Sequence, residues 1–150
     1  MGNGRLRFAD EHDLYFLFEL ANDPDCRKNS FHTDAISFEE HKCWFQSKMN
    51  SSESRIFIYL NEAGQAIGQA RYDLDKDNAY ISYSIDKDHR GQGHGLNVIV
   101  LLEEEIRSLA KVHEIHAAVK HSNEASKHIF ERLGYHKIIA EKNIDYVKII

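Results

Sequence analysis

One proline, one tryptophan, two methionines and two cysteines in 150 residues set the first limits on this chain. With Pro24 as the only proline, little is forbidden outright to helix or sheet, and elements must be read from periodicity rather than from breaks. Cys26 and Cys43 stand at no metal-ligand spacing, which excludes a disulfide framework or a zinc ribbon and reads as two free thiols of a cytoplasmic protein. No apolar run approaches the roughly 18 residues a membrane helix needs, so no membrane is expected as a partner. The opening MGNGRLRFADEHD has no apolar core, so no secretory leader is expected, and Met1 to Gly4 read as an expression remnant or a disordered lead. Basic residues number 19 against 24 acidic ones, a formal net charge of -5, and they are scattered rather than banded; nucleic acid is not an expected partner. Histidine is plentiful, with ten copies. His113 and His116 nevertheless point to opposite faces of an apparent strand, and the others have no ligand-spaced neighbour, so no metal is expected.

What is present has the profile of a globular domain, 42% hydrophobic and 29% charged, without repeats, low-complexity tracts or linkers, and a single domain over 1–150 is expected. Leu6-Arg7-Phe8 reads as a strand, and Asp10 as the N-cap of a helix with Leu14, Leu17, Phe18 and Ala21 on one face, stopping near Pro24. Ser37-Phe38-Glu39-Glu40 reads as a capping box before a second helix that carries Phe38, Trp44, Phe45 and Met49. From Arg55 the period becomes that of strands: Ile56 to Leu60, a turn at Asn61 to Gly64, Gln65 to Tyr72, a polar turn over Asp73 to Asn78, and Ala79 to Asp86. A long helix follows with Ile99, Leu102, Ile106 and Leu109 on its buried stripe. Then come a strand near Ile115 to Val119, a helix from Asn123 to Leu133 ended by Gly134, and strands at Lys137 to Ile139 and Asp145 to Ile149.

Between the third meander strand and the long helix lies Asp88-His89-Arg90-Gly91-Gln92-Gly93-His94-Gly95. A glycine-rich turn that opens a helix is an anion site, because the first helical N–H groups lack backbone partners and the dipole puts partial positive charge there. Arg90 adds a full charge, and Gly91, Gly93 and Gly95 let amides approach phosphate oxygens without a Cβ in the way. The loop lacks the Gly-Lys-Ser/Thr ending of the NTPase phosphate loop and the spacing and parallel context of a dinucleotide fingerprint. It satisfies R/Q-x-x-G-x-G/A at every fixed position, the pattern of an acyl-coenzyme A loop.

With that loop, the sequence resembles the GNAT superfamily of N-acetyltransferases. Asn123, Ser126, Phe130, Gly134 and Tyr135 fall where these enzymes carry a second motif, and the order of elements matches over nearly the whole chain. The resemblance implies an α/β fold of the GNAT type. Its mixed, mostly antiparallel sheet would have roughly six or seven strands flanked by about four helices, splayed between the fourth and fifth strands. It implies acetyl-CoA as co-substrate, with the pantetheine arm in the splay against main-chain groups of Ser84 and Ile85. The pyrophosphate would lie on Arg90, Gly91, Gln92, Gly93, His94 and Gly95, and the cofactor would be bordered by Asn123 and Ser126. An amine acceptor would attack the thioester directly, losing a proton, while the leaving thiolate is stabilised.

The sequence departs from the family where many relatives place a tyrosine seven residues after the motif asparagine: Phe130 stands there. Water, Tyr83 or Tyr135 remain as candidate acids. No glutamate lies in the central strand, so Ser82 is a candidate to line a relay water, and His41 is the first candidate for the base. In the segment that sets acceptor choice in such enzymes, Asn22, Arg27, Ser30 and Trp44 suggest a reading of hydroxyls, a phosphate and a sugar face. That segment is similar to the branch that acetylates UDP-linked 4-amino sugars on the pseudaminic acid pathway, which implies a nucleotide amino sugar for surface polysaccharide. Acetylation of a protein N-terminus and a coenzyme-binding sensor without turnover stand as alternatives. Polyamines and aminoglycosides rank lower here because the lobe mixes bases with acids. The sequence leaves oligomeric state open; the resemblance implies a homodimer as one arrangement.

Overall fold

The alternating middle of the chain becomes the centre of a seven-stranded sheet in the computed structural model, which describes residues 3–150. The strands are β1 (Arg5–Phe8), β2 (Ser54–Leu60), β3 (Ala66–Asp75), β4 (Asn78–Ile85), β5 (Glu114–Lys120), β6 (His136–Ile139) and β7 (Asn143–Ile149). They pair in the order β1-β2-β3-β4-β5-β7-β6, every pair antiparallel except β4 with β5. Five α-helices accompany them: α1 (Leu14–Ala21), α2 (Pro24–Asn29), α3 (Phe38–Met49), α4 (His94–Arg107) and α5 (Glu124–Arg132). This is the mixed GNAT-type fold, with one helix more than the sequence suggested.

The run Ile56 to Leu60 is apolar throughout because β2 is covered on both faces. Phe57 and Tyr59 face α4 in the larger core, with Val98, Ile99, Leu102, Ile106 and the α5 residue Phe130. Ile56, Ile58 and Leu60 face the other way, against Leu17 of α1 and Phe45 of α3. Each fully buried aliphatic side chain contributes roughly 1.5–3 kcal/mol, so the stripe on α4 is a main source of stability for that face. Helices α1 to α3 thus share one side of the sheet, and α4 with α5 the other.

Local chemistry explains where reading and structure differ. Pro24 begins α2 at its first turn instead of merely ending α1, since its fixed φ suits that position and its missing N–H is not needed there. Asp10 caps a short 3-10 turn, Glu11–Asp13, that leads into α1. Ser37 supplies the forward half of the expected box, accepting from the Glu40 amide at 3.2 Å. β3 continues to Asp75, and the turn shrinks to Lys76-Asp77 with Lys76 at φ 59°, because Asp73 is tied into the sheet by Lys48, Ser54 and Arg71. α4 ends at Arg107, so Leu109 packs on the core from outside the helix. Gly4 is no disordered lead: its N–H donates to Tyr59 at 3.1 Å, and an added Cβ would collide with the Leu60 carbonyl and the Tyr59 ring. Met1 and Gly2 lie outside the described residues.

Two carboxylates tie the helices to the sheet. Asp13 takes both guanidinium nitrogens of Arg7 at 2.8 Å and the Asp10 amide; Asp73 takes Lys48 and Ser54, each at 2.6 Å, and Arg71 at 3.1 Å. Burial pushes each carboxyl up, but these donors outweigh it and hold both below the ordinary carboxylate value. A group depressed in the folded state binds its proton later than in the unfolded chain, so its stabilisation is present above about pH 4 and lost as pH falls further. Thermal unfolding is expected to show a steep fall in Tm below about pH 4, and Asp73→Asn to lower Tm at neutral pH while flattening that fall. An acid limb as steep in the variant as in the wild type would remove Asp73 from this account.

Candidate active site

β4 and β5 pair through only three positions, Asn78 with Glu114, Ala79 with Ile115 and Tyr80 with His116. Beyond that fork the strands diverge, and a cleft of about 1810 Å³ runs through the gap, bounded by the glycine loop, α5 and the α1–α3 side. From Ile81 onward β4 has lost β5 as a partner, so alternate main-chain groups of this strand face the gap, while the Ile85 carbonyl is taken by Arg90 Nε and the Ser84 carbonyl points toward Gly68 of β3.

The loop at one end is shaped by its glycines. Gly91 and Gly93 have φ of 74° and 84°, left-handed values that a Cβ would strain, and Gly93 is the N-cap of α4. A Cβ on Gly95 would lie 2.7 Å from Ile129 Cδ1 and 3.3 Å from Tyr83 Cε2, so glycine there lets the first turn of α4 close against α5 and β4. Gln92 is exposed beside them. These amides at a helix start fit a pyrophosphate. His94 is buried, and its tautomer follows from hydrogen-bond counting. Tyr59 Oη accepts from Gly4 N–H and from Asn97 Nδ2 at 2.9 Å, so its one hydrogen goes to His94 Nδ1 at 2.8 Å, leaving the His94 proton on Nε2. Burial holds His94 below the ordinary histidine value. Arg90 is engaged: Nε donates to the Ile85 carbonyl at 2.9 Å, and its two terminal nitrogens to Asp23 at 2.8 Å and Asp25 at 2.9 Å.

On the α5 side of the gap, Asn123 caps α5 through the Ser126 amide at 3.2 Å, and Ser126 Oγ lies 2.7 Å from Tyr83 Oη. Burial raises Tyr83 above the ordinary phenol value, against a smaller opposing effect of Ser126. Tyr135 is directed elsewhere: its hydroxyl donates to buried Glu103 at 2.6 Å, within the core. On the α1–α3 side, Ser82 and Ser84 line the cleft, with Ser84 Oγ accepting from Gln69 at 3.0 Å.

Asn22, Arg27 and Ser30 of the acceptor segment are spent within that segment, mostly on its own backbone. Asn22 clamps Ile36 through two 2.8 Å bonds. Arg27 donates to the carbonyls of Ala21, His32 and Asp34 and to Ser30 Oγ, while Ser30 donates to the Cys26 carbonyl. Trp44 lines the cleft, stacked on His41 at 5.6 Å and covered by the Arg71 guanidinium at 5.1 Å. His41 is 3% exposed and donates from Nε2 to the Leu14 carbonyl at 3.1 Å, since a carbonyl can only accept. Burial holds it below the ordinary histidine value, and its ring lines the cleft between Trp44 and the α1 carbonyl it bonds.

The family model described as the acetyltransferase (GNAT) domain matches residues 5–136. The chain belongs to the GNAT acetyltransferase family. It is an N-acetyltransferase with acetyl-CoA as acyl donor. No curated protein matches the sequence. Among solved structures, the acetyltransferase is similar to spermidine N-acetyltransferase from Vibrio cholerae in complex with CoA and spermine, at 18% identity, TM-score 0.86, covering 97% of this chain and 95% of that one. It is also similar to ribosomal-protein-alanine N-acetyltransferase from Brucella melitensis, at 22% identity, TM-score 0.80 and coverage of 97% and 99%. A third is an aminoglycoside acetyltransferase in complex with coenzyme A, at 17% identity, TM-score 0.83 and coverage of 98% and 95%.

Several residues of this acetyltransferase's cleft escape a reading of the sequence. Asp25 lines the cleft, and it and Asp23 both meet Arg90, a pairing that no local spacing signals. At the fork, His116 stacks on Tyr80 at 5.0 Å and faces Asp145 at 3.4 Å, with Glu114 at 4.0 Å from its other nitrogen. Only the antiparallel register of β5 with β7 brings Asp145 beside His116, and no spacing in the sequence signals it.

Proposed function

We propose that this acetyltransferase acts on a primary amine of a small cationic acceptor, of the polyamine or aminoglycoside class. The observation that carries the reading is the fate of the arginines lining the cleft. Arg27 is taken by carbonyls, Arg71 by Asp73 and the Trp44 ring, and Arg90 by Asp23 and Asp25, whereas Asp34, Glu40 and Asp145 line the same cleft. Arg132, the fourth, belongs to α5 across the sheet. An acceptor wall with committed cations and accessible carboxylates attracts a polycation and disfavours a nucleotide diphosphate. The mixture of bases and acids that counts against polyamines in the bare sequence is therefore mostly internal pairing. A nucleotide amino sugar would need Asn22, Arg27, Ser30 and Trp44, all four already engaged.

Acetyl-CoA supplies an acyl group activated as a thioester. In this reading the loop amides from Gly91 to Gly95 hold the pyrophosphate, and the edge of β4 beyond Ile81 that faces the gap aligns the arm and polarises the acyl carbonyl through its N–H groups. Tyr83, held by Ser126, donates to the sulfur as the C–S bond breaks and the new C–N bond forms. The acceptor ammonium gives one proton to water beside Ser82 before attack and a second as the C–N bond forms; one of the two restores Tyr83, which has given its own to sulfur, and the other is released to solvent. Tyr83 takes the place left by Phe130 because its hydroxyl reaches the same helix from the neighbouring strand.

A thiol-release assay with acetyl-CoA, run against spermidine, an aminoglycoside, a UDP-linked amino sugar and peptides with free N-termini, tests the acceptor. Turnover is expected with the polycations. Turnover confined to the UDP sugar, or to peptides, overturns the cationic assignment and leaves the acetyltransferase class standing.

A further inference from the structure

The shortest α-helix among the described residues occupies the place where the sheet is broken. α2 (Pro24–Asn29) lies over the diverging ends of β4 and β5, and Asp25, Cys26, Arg27 and Asn29 all line the cleft. At its start it is fastened to the β4 side: Arg90, anchored on the Ile85 carbonyl, donates to Asp23 and Asp25. Asp23 is also the cap, accepting from the amides of Asp25 and Cys26 at 3.1 and 3.2 Å. At its end it is fastened to the β5 side, where Lys120 Nζ, from the last residue of that strand, donates to the Lys28 carbonyl at 2.9 Å. That carbonyl sits in the last turn of a helix, where intrahelical donors run out. Two cations, one in the loop that follows β4 and one at the end of β5, therefore hold opposite ends of one helix.

We infer that α2 is a strap across the coenzyme gap, with Arg90 and Lys120 as its fasteners, and that Arg90 is a positioning residue for the acceptor side rather than a ligand of the pyrophosphate. This rests on the acetyltransferase reading for its purpose but not for its geometry. The strap closes the face of the gap opposite α4 and α5, over the path of the thioester. It also carries the segment that Arg27 and Asn22 fold into the acceptor wall. With Arg90 neutralised by two carboxylates, phosphate binding falls to the loop amides and the start of α4.

Cys26 reports on the strap directly. It is half-buried on α2 and faces Ser84 of β4, and burial pushes its thiol up, whereas Cys43 is exposed on α3. In a Cys43→Ser background, the rate at which 5,5′-dithiobis(2-nitrobenzoate) modifies Cys26 reads strap opening. Arg90→Gln and Lys120→Met are each expected to raise that rate by about tenfold. Asp23→Asn, which keeps an amide oxygen for the cap, should do the same. In calorimetry the affinity for coenzyme A should stay within about threefold of the wild type in all three variants. The proposal is overturned if Cys26 is as protected in Arg90→Gln and Lys120→Met as in the wild type. It is equally overturned if Arg90→Gln weakens coenzyme A by about tenfold or more while Cys26 stays covered, for Arg90 would then be a phosphate ligand. Failure of the wild type to bind coenzyme A would sink the acetyltransferase reading instead, and the thiol rates would still decide the strap.

Discussion

Tyr83→Phe is expected to lower kcat by about 10²-fold while leaving coenzyme A affinity within about threefold. The loss is one oxygen at the point where negative charge grows on sulfur, and a single preorganised donor in a covered site is commonly worth that much. Tyr83 is suited to the task because burial raises its pKa, so the hydroxyl stays protonated through the neutral and alkaline range. Ser126 fixes its direction at 2.7 Å, and Gly95 leaves room for the ring. The fold should tolerate the change, since the ring keeps its edge contact with Phe130 at 6.4 Å and only the bond to Ser126 is lost. A second substitution separates catalysis from packing. Phe130→Tyr in the Tyr83→Phe background puts a hydroxyl on α5 at the position many relatives use, and recovery of about tenfold in kcat is expected. If Tyr83→Phe turns over at the wild-type rate, the sulfur needs no donor from this chain and the assignment fails.

The glycine loop and the Asn123 cap were legible because their chemistry is local: left-handed glycines, a helix start and a cap three residues before its amide lie within one short stretch. The strands were legible for the same reason, as alternation and apolar runs follow from burial on one or two faces. What the sequence concealed is non-local. Arg90 looks like a free charge for phosphate until the fold places Asp23 and Asp25 beside it, 67 and 65 positions away. Arg27 looks like a surface cation until its carbonyl partners wrap around it. Pro24 reads as a stop because a proline ends one helix as readily as it begins the next, and only the cap just before it, at Asp23, decides between them.

His41 shows the same limit, and its substitution separates a structural histidine from a catalytic one. Its ordinary pKa suggests a base, but the side chain is closed in by Phe18, Trp44 and Phe45 and holds α3 to α1 through the Leu14 carbonyl. His41→Ala should therefore cost about 2–4 kcal/mol, from the cavity and the lost bond to the Leu14 carbonyl. In a chain of this size that is a fall in Tm of about 10 °C. The sign of its pH dependence follows from the lowered pKa: below about pH 6.5 the unfolded chain takes up a proton that the folded chain resists, so the stabilisation is full above that pH and shrinks below it. The Tm gap between wild type and His41→Ala should thus be wider at pH 8 than at pH 5. His41→Phe keeps the aromatic packing and gives up the donor, and should retain kcat and the wild-type pH profile while losing about 1–2 kcal/mol of stability. A general base could not survive that replacement, so a collapse of kcat in a folded His41→Phe protein would return His41 to the mechanism.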